Sequence, residues 1–406
     1  MPESRYTGIG ARKSHRKSRL GCVTCKRRRI RCDEGQPRCQ NCIKHDIICK
    51  YAHSAHTLHA TPTSSTTTSP SVAQEPDDIF PIPTPTGTVA LSDTSGENRK
   101  FTWSATTAEL MHQWVVSTSQ VLTEDPITKQ FMQISVPRLA FAEQHILHLI
   151  LAISALHLVH LKPEKKGHYA DHAERHYQAG LQLIIPLLTQ LNEENCHTIF
   201  LFATLCNGHS LAQGPRPGDY LLFGEDGPAQ WSALFRGLLP LLSSYSRHLM
   251  DGPMAAMIRP GAAAACQPPV ALPKADNDVL LQLEHFVNTV AGSDEEMSIL
   301  AAALQHLRAL YSSRYTGDGQ KRRATIVDLG IWLWRCTEGL TELLQRRHPG
   351  ALVIFAYACV VINDIGNLWL FTGWVSHLLA GIHRSLPPQY HVWIESPMQD
   401  IGWLPP

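Results

Sequence analysis

Six cysteines between Cys22 and Cys49 carry the spacing most able to do chemistry. They read Cys22-x2-Cys25-x6-Cys32-x6-Cys39-x2-Cys42-x6-Cys49, a Cys-x2-Cys-x6-Cys unit used twice. Thiolates are the favoured ligands of structural zinc, which takes four in a tetrahedron. Two zinc ions need eight ligand places, and six thiols fill them if two sulfurs each serve both metals. The symmetry of the repeat makes Cys22 and Cys39, the first of each half, the bridging pair. Between the second and third cysteines stand Lys26, Arg27, Arg28, Arg29, Ile30 and Arg31, five cations in six positions. A metal-held turn that displays such a run is suited to a polyanion. So short a segment has little core of its own, and metal binding then supplies its folding free energy.

Six cysteines at these positions allow two other readings. Three disulfides would use them all, but the N-terminus is polar and basic with no apolar signal segment, and disulfides are rare in reducing compartments. An iron–sulfur cluster as a rule takes four thiolates and has no use for the basic run. Spacing and context favour zinc.

The segment resembles the fungal-type binuclear zinc cluster of transcription regulators. All five cysteine intervals, the basic run and Pro37 in the connecting loop carry the likeness, over about residues 20–51. It implies that Cys22, Cys25, Cys32, Cys39, Cys42 and Cys49 bind two Zn2+ ions and that the first of two helices enters the DNA major groove. Arg28 and Arg29 fall where the family places base-reading cations, and Lys26, Arg27 and Arg31 then contact phosphates. The residues themselves support that division. The second half offers only Lys44 between its last two cysteines, with Ile43, Ile47 and Ile48 around it. The first half therefore reads as the DNA-facing side and the second as its packing partner. The arginine fork matches the O6 and N7 acceptors of guanine. A plain phosphate contact is the alternative role for each arginine, since half or more of protein–DNA hydrogen bonds are of that kind.

Charge is divided along the chain. Residues 1–50 hold 14 Lys/Arg and 4 Asp/Glu, whereas residues 51–406 hold 22 and 31. A strongly basic head thus precedes an acidic body, although the whole chain is only +1. Arg12, Lys13, Arg16, Lys17 and Arg19 form a basic N-terminal arm over 1–19 that reads as a nuclear import signal, an extra phosphate-binding arm or a solvated tail. The nucleus is the expected compartment. Residues 52–103 are rich in Ser, Thr and Pro and bury too little apolar surface to offset ordering entropy, which predicts a disordered, flexible linker. No heptad pattern follows Cys49, so dimerisation through a coiled coil there is not expected.

Residues 104–406 are long enough for a substantial core, and helical periodicity dominates them. Helices or helix pairs are expected over 108–122, 139–161, 165–191, 196–213, 229–250, 278–291, 294–311, 325–346 and 351–382, with Gly or Pro at most joins. The fold class expected is a small metal-stapled two-helix zinc cluster joined by a disordered linker to a large all-α domain. The apolar runs 146–161 and 351–382 read as core helices rather than spans, since the first is short and the second carries Asn363, Asp364, Gly366 and Asn367 at its middle.

This body resembles the C-terminal domain of fungal regulators of the sterol uptake control type. The likeness rests on the stretch from Ala152 to Leu158, His176-Tyr177, Trp231 to Leu242 with Phe235-Arg236-Gly237, and the stretch from Ala351 to Ile354. It continues in Gly373-Trp374, Trp393-Ile394 and Ile401-Gly402-Trp403. It implies a helical regulatory domain that binds an apolar ligand such as a sterol, contacts transcription co-regulators and offers a route to a homodimer. Many members instead control a local secondary-metabolite gene cluster. The same tryptophans and apolar faces are equally what a helical core requires.

Groupings that resemble active sites fail on geometry. His168, His172 and His176 are spaced i, i+4, i+8, which suits a metal on a helix or simply a solvated face. Cys196 and His197 are neighbours, and adjacent helical side chains diverge. No nucleophile elbow, phosphate loop or dinucleotide fingerprint is present. The reading is a DNA-binding regulator of RNA polymerase II genes and not an enzyme. A ligand-free adaptor, or an enzyme tethered to DNA, are the alternatives.

Overall fold

In the computed structural model the described residues are 22–28, 30, 32–35, 38–45, 47, 49, 101–336, 339–366 and 368–405. The arm 1–19 and nearly all of the linker 52–103 lie outside them. The chain divides into two compact units, Met1–Asp78 and Ile79–Pro406.

The first unit holds two five-residue helices, Val23–Arg27 (α1) and Gln40–Lys44 (α2). Isolated helices this short are unstable in water, so their persistence depends on tertiary ties. Cys22 and Cys39 occupy the two N-cap positions. The side chain of Cys22 accepts the backbone N–H of Cys25 in the manner of a capping oxygen.

The described residues of the second unit are mostly helical. Its helices are Ala105–Val116 (α3), Pro126–Gln130 (α4), Val136–Ala142 (α5), Gln144–Leu161 (α6), Lys166–Leu188 (α7), Cys196–Ala212 (α8), Gln230–Ser244 (α9), Ser246–Asp251 (α10), Ala255–Ala265 (α11), Lys274–Val290 (α12), Asp294–Ser312 (α13), Ile326–Cys336 (α14), Gly339–Gln345 (α15), Pro349–Asp364 (α16), Trp374–Ser385 (α17) and Glu395–Ile401 (α18). Among the described residues there is no strand, only three isolated bridges. Two apolar helices form the centre. The residues of α16 from Gly350 to Ile362 are all buried, and α12, α13, α17 and α18 pack around it. The second, α6, packs against α3, α5, α7 and α8. Among the described residues α6 alone is long and apolar enough to cross a membrane, and 67% of it is buried within the protein.

Local chemistry sets the helix ends. Pro349 begins α16 behind a His348 cap, whose Nδ1 accepts the Gly350 N–H at 3.2 Å. At α13 Ser293 caps the Glu296 N–H, and the Glu296 carboxylate returns to accept the Gly292 N–H at 2.8 Å. The pair expected over 351–382 is found as α16 and α17, separated by a 3-10 turn at Trp369–Phe371. Several features depart from the expected ranges. The short α4 and α18 and the Ala-rich α11 were not anticipated. The Gly/Pro-punctuated loop after α8 is also no surface connection, because Tyr220, Leu221, Leu222 and Phe223 are buried. Leu221 adopts φ +67° there. Gln345 exchanges two hydrogen bonds with the backbone of Gly224, and Arg347 lies over the Phe223 ring at 4.6 Å. The Tyr220 ring rests on bare Gly381, where a Cβ would come within 2.2 Å of it.

Candidate metal centre and nucleic-acid interface

The six sulfurs converge into two groups of four. Cys22, Cys25, Cys32 and Cys39 form one and Cys22, Cys39, Cys42 and Cys49 the other, with the sulfurs of each group within 4.8 Å of one another. Cys22 and Cys39 belong to both. Their sulfurs are 3.7 Å apart, and the pairs Cys22–Cys42 and Cys25–Cys39 stand at 3.7 and 3.6 Å. Four sulfurs placed tetrahedrally at the usual zinc–sulfur distance would be about 3.8 Å apart. The donor set therefore fits zinc. It does not fit disulfides: no described cysteine is in one, and these separations far exceed an S–S bond.

Backbone donors hold the sulfurs. Cys22 N–H points to Cys32 Sγ at 3.4 Å, and Cys39 N–H to Cys49 Sγ at 3.3 Å. Cys32 Sγ accepts a second N–H from Glu34 at 3.4 Å. Donors aimed at the ligand atoms orient the ligands and favour the thiolate form. The Cys39 N–H holds the Cys49 thiol below its ordinary value, whereas burial pushes Cys42 up to about 12 and raises Cys25 as well. Six thiols this crowded cannot all ionise unless a cation sits among them. Cys49 is half-buried and the other five are 0–4% exposed.

The cations project outward. Lys26 and Arg27 close α1, Arg28 is its C-cap, and all three are exposed. Arg29 and Arg31 lie outside the described residues. On the other half Lys44 is exposed too. Ile43 is 51% exposed and Ile47 falls beyond the end of α2, so these two do not form the buried packing face expected of them. Sequence reasoning also missed Asp33, whose carboxylate accepts the Gln40 N–H at 3.0 Å and so caps α2; that bond holds its pKa below the ordinary value. It missed Arg38 as well, which donates to the Ile47 carbonyl at 3.2 Å. Each interrupts the repeat, with Gly21 at the place matching Arg38 and Lys50 at the place matching Asp33.

Among the described residues the cysteine groups alone bring three or more metal-binding side chains together. The histidines of α7 do not form a third centre. His176 instead turns to His148 of α6, Nδ1 to Nδ1 at 2.9 Å, and burial lowers it to about 4. The helix face expected to be solvated is thus partly buried there.

Residues 20–57 match the Fungal Zn(2)-Cys(6) binuclear cluster domain, and residues 109–257 match the Fungal specific transcription factor domain. A Zn(2)-C6 fungal-type transcription factor of Gibberella zeae is 30% identical over 442 aligned residues, covering 94% of this chain and 85% of that protein. The chain belongs to the Zn(2)-C6 fungal-type transcription factors. A second full-length relative, the Zn(2)-C6 fungal-type transcription factor afumD of Aspergillus fumigatus, is 26% identical over 366 residues and 85% of each chain. Sterol uptake control protein 2 of Candida albicans is 57% identical, but over 47 residues, which is 12% of this chain and 7% of that protein. That match falls at the N-terminus of this transcription factor, not on its helical body. No solved structure matches. Binuclear cluster domains of this kind bind two zinc ions. The family's role is DNA-binding regulation of transcription, and no enzyme is named among these relatives.

Proposed function

We propose that residues 20–51 read DNA, that residues 52–103 tether this head, and that residues 104–406 regulate it in the nucleus. Cys22, Cys25, Cys32, Cys39, Cys42 and Cys49 hold two zinc ions, with Cys22 and Cys39 shared between them. The observation that carries this reading is the membership of those two sulfurs in both four-sulfur groups. Zinc, when bound, supplies the cross-link that a segment with so small a core lacks. The chain's own residues do the rest. Backbone N–H groups orient the sulfurs, Asp33 fixes the start of α2, and α1 presents its exposed cations. Arg28 and Arg29 read bases. Lys26, Arg27 and Arg31 fix the register on phosphates, giving a steep dependence on salt.

The target genes serve sterol and lipid metabolism or one secondary-metabolite cluster. The sterol reading draws on the identity to sterol uptake control protein 2 over the N-terminal segment, and brings with it an apolar ligand such as a sterol. Partner recruitment by a ligand-free body, with co-regulators or a second copy bound there, is the other reading. Genome-wide occupancy of the tagged protein tests the assignment. Peaks at dispersed sterol genes support the first pathway, and peaks within one contiguous cluster support the second. An absence of sequence-specific peaks would overturn the DNA-reading role.

A further inference from the structure

A cavity of about 660 Å³ lies in the helical body among the end of α11, the segment 267–270, α13, the loop after it and α14. Its size is that of a small-molecule site. Pro268, Val270, Leu310, Ile331 and Trp332 give it apolar walls. Several of its polar groups are already satisfied inside the protein. Ser312 accepts the Val270 N–H, and Tyr315 donates to Asp276. Asp328 takes both contacts of Arg322 at 3.1 Å and the N–H and hydroxyl of Thr325 at 2.8 Å, so its charge is answered by three donor atoms.

Three groups on this wall have capacity left. Trp332 is 1% exposed, and its indole Nε1–H is buried with no acceptor. An orphaned buried donor is costly, and native structures rarely keep one without a role. Arg335 lies three residues further along α14, on the same face, and gives one of its five N–H groups to the Ala265 carbonyl at 2.9 Å. His306 of α13 lines the same space, and burial lowers its pKa. His306 and Arg335 also line a second hollow of about 910 Å³, where Arg236 joins them. The available groups are donors and cations above an apolar wall.

We propose that this cavity binds a small amphipathic anion, an aromatic or alicyclic carboxylate whose ring lies against Trp332 and Leu310 and whose oxygens accept from Trp332 Nε1 and Arg335. This deepens the regulatory reading of the body and names a ligand class distinct from a neutral sterol. It rests on that reading for its consequence, not for the binding itself.

The test uses the full-length, zinc-loaded chain and the probe 1-naphthaleneacetate. Binding is followed by calorimetry and by the indole N–H resonance of Trp332, which is assigned by its loss in Trp332→Phe. The probe shifts that resonance. Arg335→Gln weakens binding about tenfold, Trp332→Phe weakens it several-fold, and the neutral amide of the probe binds about tenfold more weakly. An unmoved Trp332 resonance overturns the proposal, as does unchanged affinity in Arg335→Gln. Arg335 is exposed, so that variant remains informative if Trp332→Phe fails to fold. A sterol that displaces the probe and binds Arg335→Gln as well as the native chain overturns the anionic class. DNA binding is measured in parallel. Its loss with probe binding intact counts against the DNA-reading head, and probe failure with DNA binding intact counts against this cavity.

Discussion

The two halves of the zinc-cluster head share one backbone and differ in what they display. Seventeen residues separate each cysteine of the first half from its counterpart in the second. The hydrogen bonds repeat at the same offset. Lys26 N–H meets the Cys22 carbonyl as Ile43 N–H meets that of Cys39, and Ile30 meets Cys25 as Ile47 meets Cys42. The N–H-to-sulfur bonds Cys22–Cys32 and Cys39–Cys49 form a third matching pair. Yet where the first half sets Lys26, Arg27 and Arg28, the second sets Ile43, Lys44 and His45. The cysteines and their backbone bonds are thus a framework used twice, and the basic run is carried by one copy. Each helix is only five residues long, so neither half has another way to hold its fold.

The largest expected effect comes from cutting what the halves share. Cys22→Ser removes a sulfur that belongs to both groups, and Cys25→Ser one that belongs to a single group. Bound zinc, measured by metal analysis of purified protein, is expected to fall from two ions to none in the first and to about one in the second. Specific DNA binding disappears with Cys22→Ser, since binding energy of roughly 10 kcal/mol or more is at stake in such sites. All nine tryptophans lie between Trp103 and Trp403, so their fluorescence reports on the body alone and should not change. Equal zinc loss in both variants would break the assignment of shared sulfurs.

The second expected effect contrasts the surfaces. Arg28→Ala is expected to lose about 1–3 kcal/mol of discrimination at one base position. Lys44→Ala, on the other half at the place matching Arg27, is expected to lower affinity for all sequences slightly and to reduce the salt slope by no more than about one. Lys26→Ala, on the first half but assigned to phosphate, should resemble Lys44→Ala in kind. Binding-site selection on each variant separates them. Identical selected motifs across all three would show that base reading is not concentrated at Arg28.

Legibility followed the same division between side chain and backbone. The ligand set was readable because every donor is a side chain at fixed spacing. The N–H groups that orient those sulfurs were not, since any residue supplies one. In the body, α6 and α16 announced themselves through long apolar runs. The helix α11 did not, because Pro260 and Gly261 at its middle are the residues least suited to a helix interior. The Gly and Pro residues of the loop after α8 mark a helix join and say nothing of its burial. Its burial depends on Gln345, Arg347 and Gly381, more than 120 residues away. The turn of His176 toward His148 was hidden likewise, since the partner stands on another helix. What stayed unreadable was partnership across long separations in sequence.

The smallest expected effect sharpens the comparison most finely, because it concerns a bond the second helix has and the first lacks. Cys22 caps α1 through its own sulfur, while α2 shows no cap from Cys39 and starts on the Asp33 carboxylate instead. A ligand sulfur can serve as cap only where its geometry allows, and at α2 the task passes to a residue of the connecting loop. Asp33→Asn keeps one oxygen acceptor but removes its charge, which weakens the bond to the N–H at the positive end of the helix. The expected outcome is that both zinc ions remain and that chelator strips the second-half zinc faster than in the native chain. Release can be followed with a colorimetric zinc indicator. Faster loss from both sites alike would mean that Asp33 supports the whole cluster and that the halves are not separately capped. An unchanged release profile would mean that the sulfurs alone fix the start of α2.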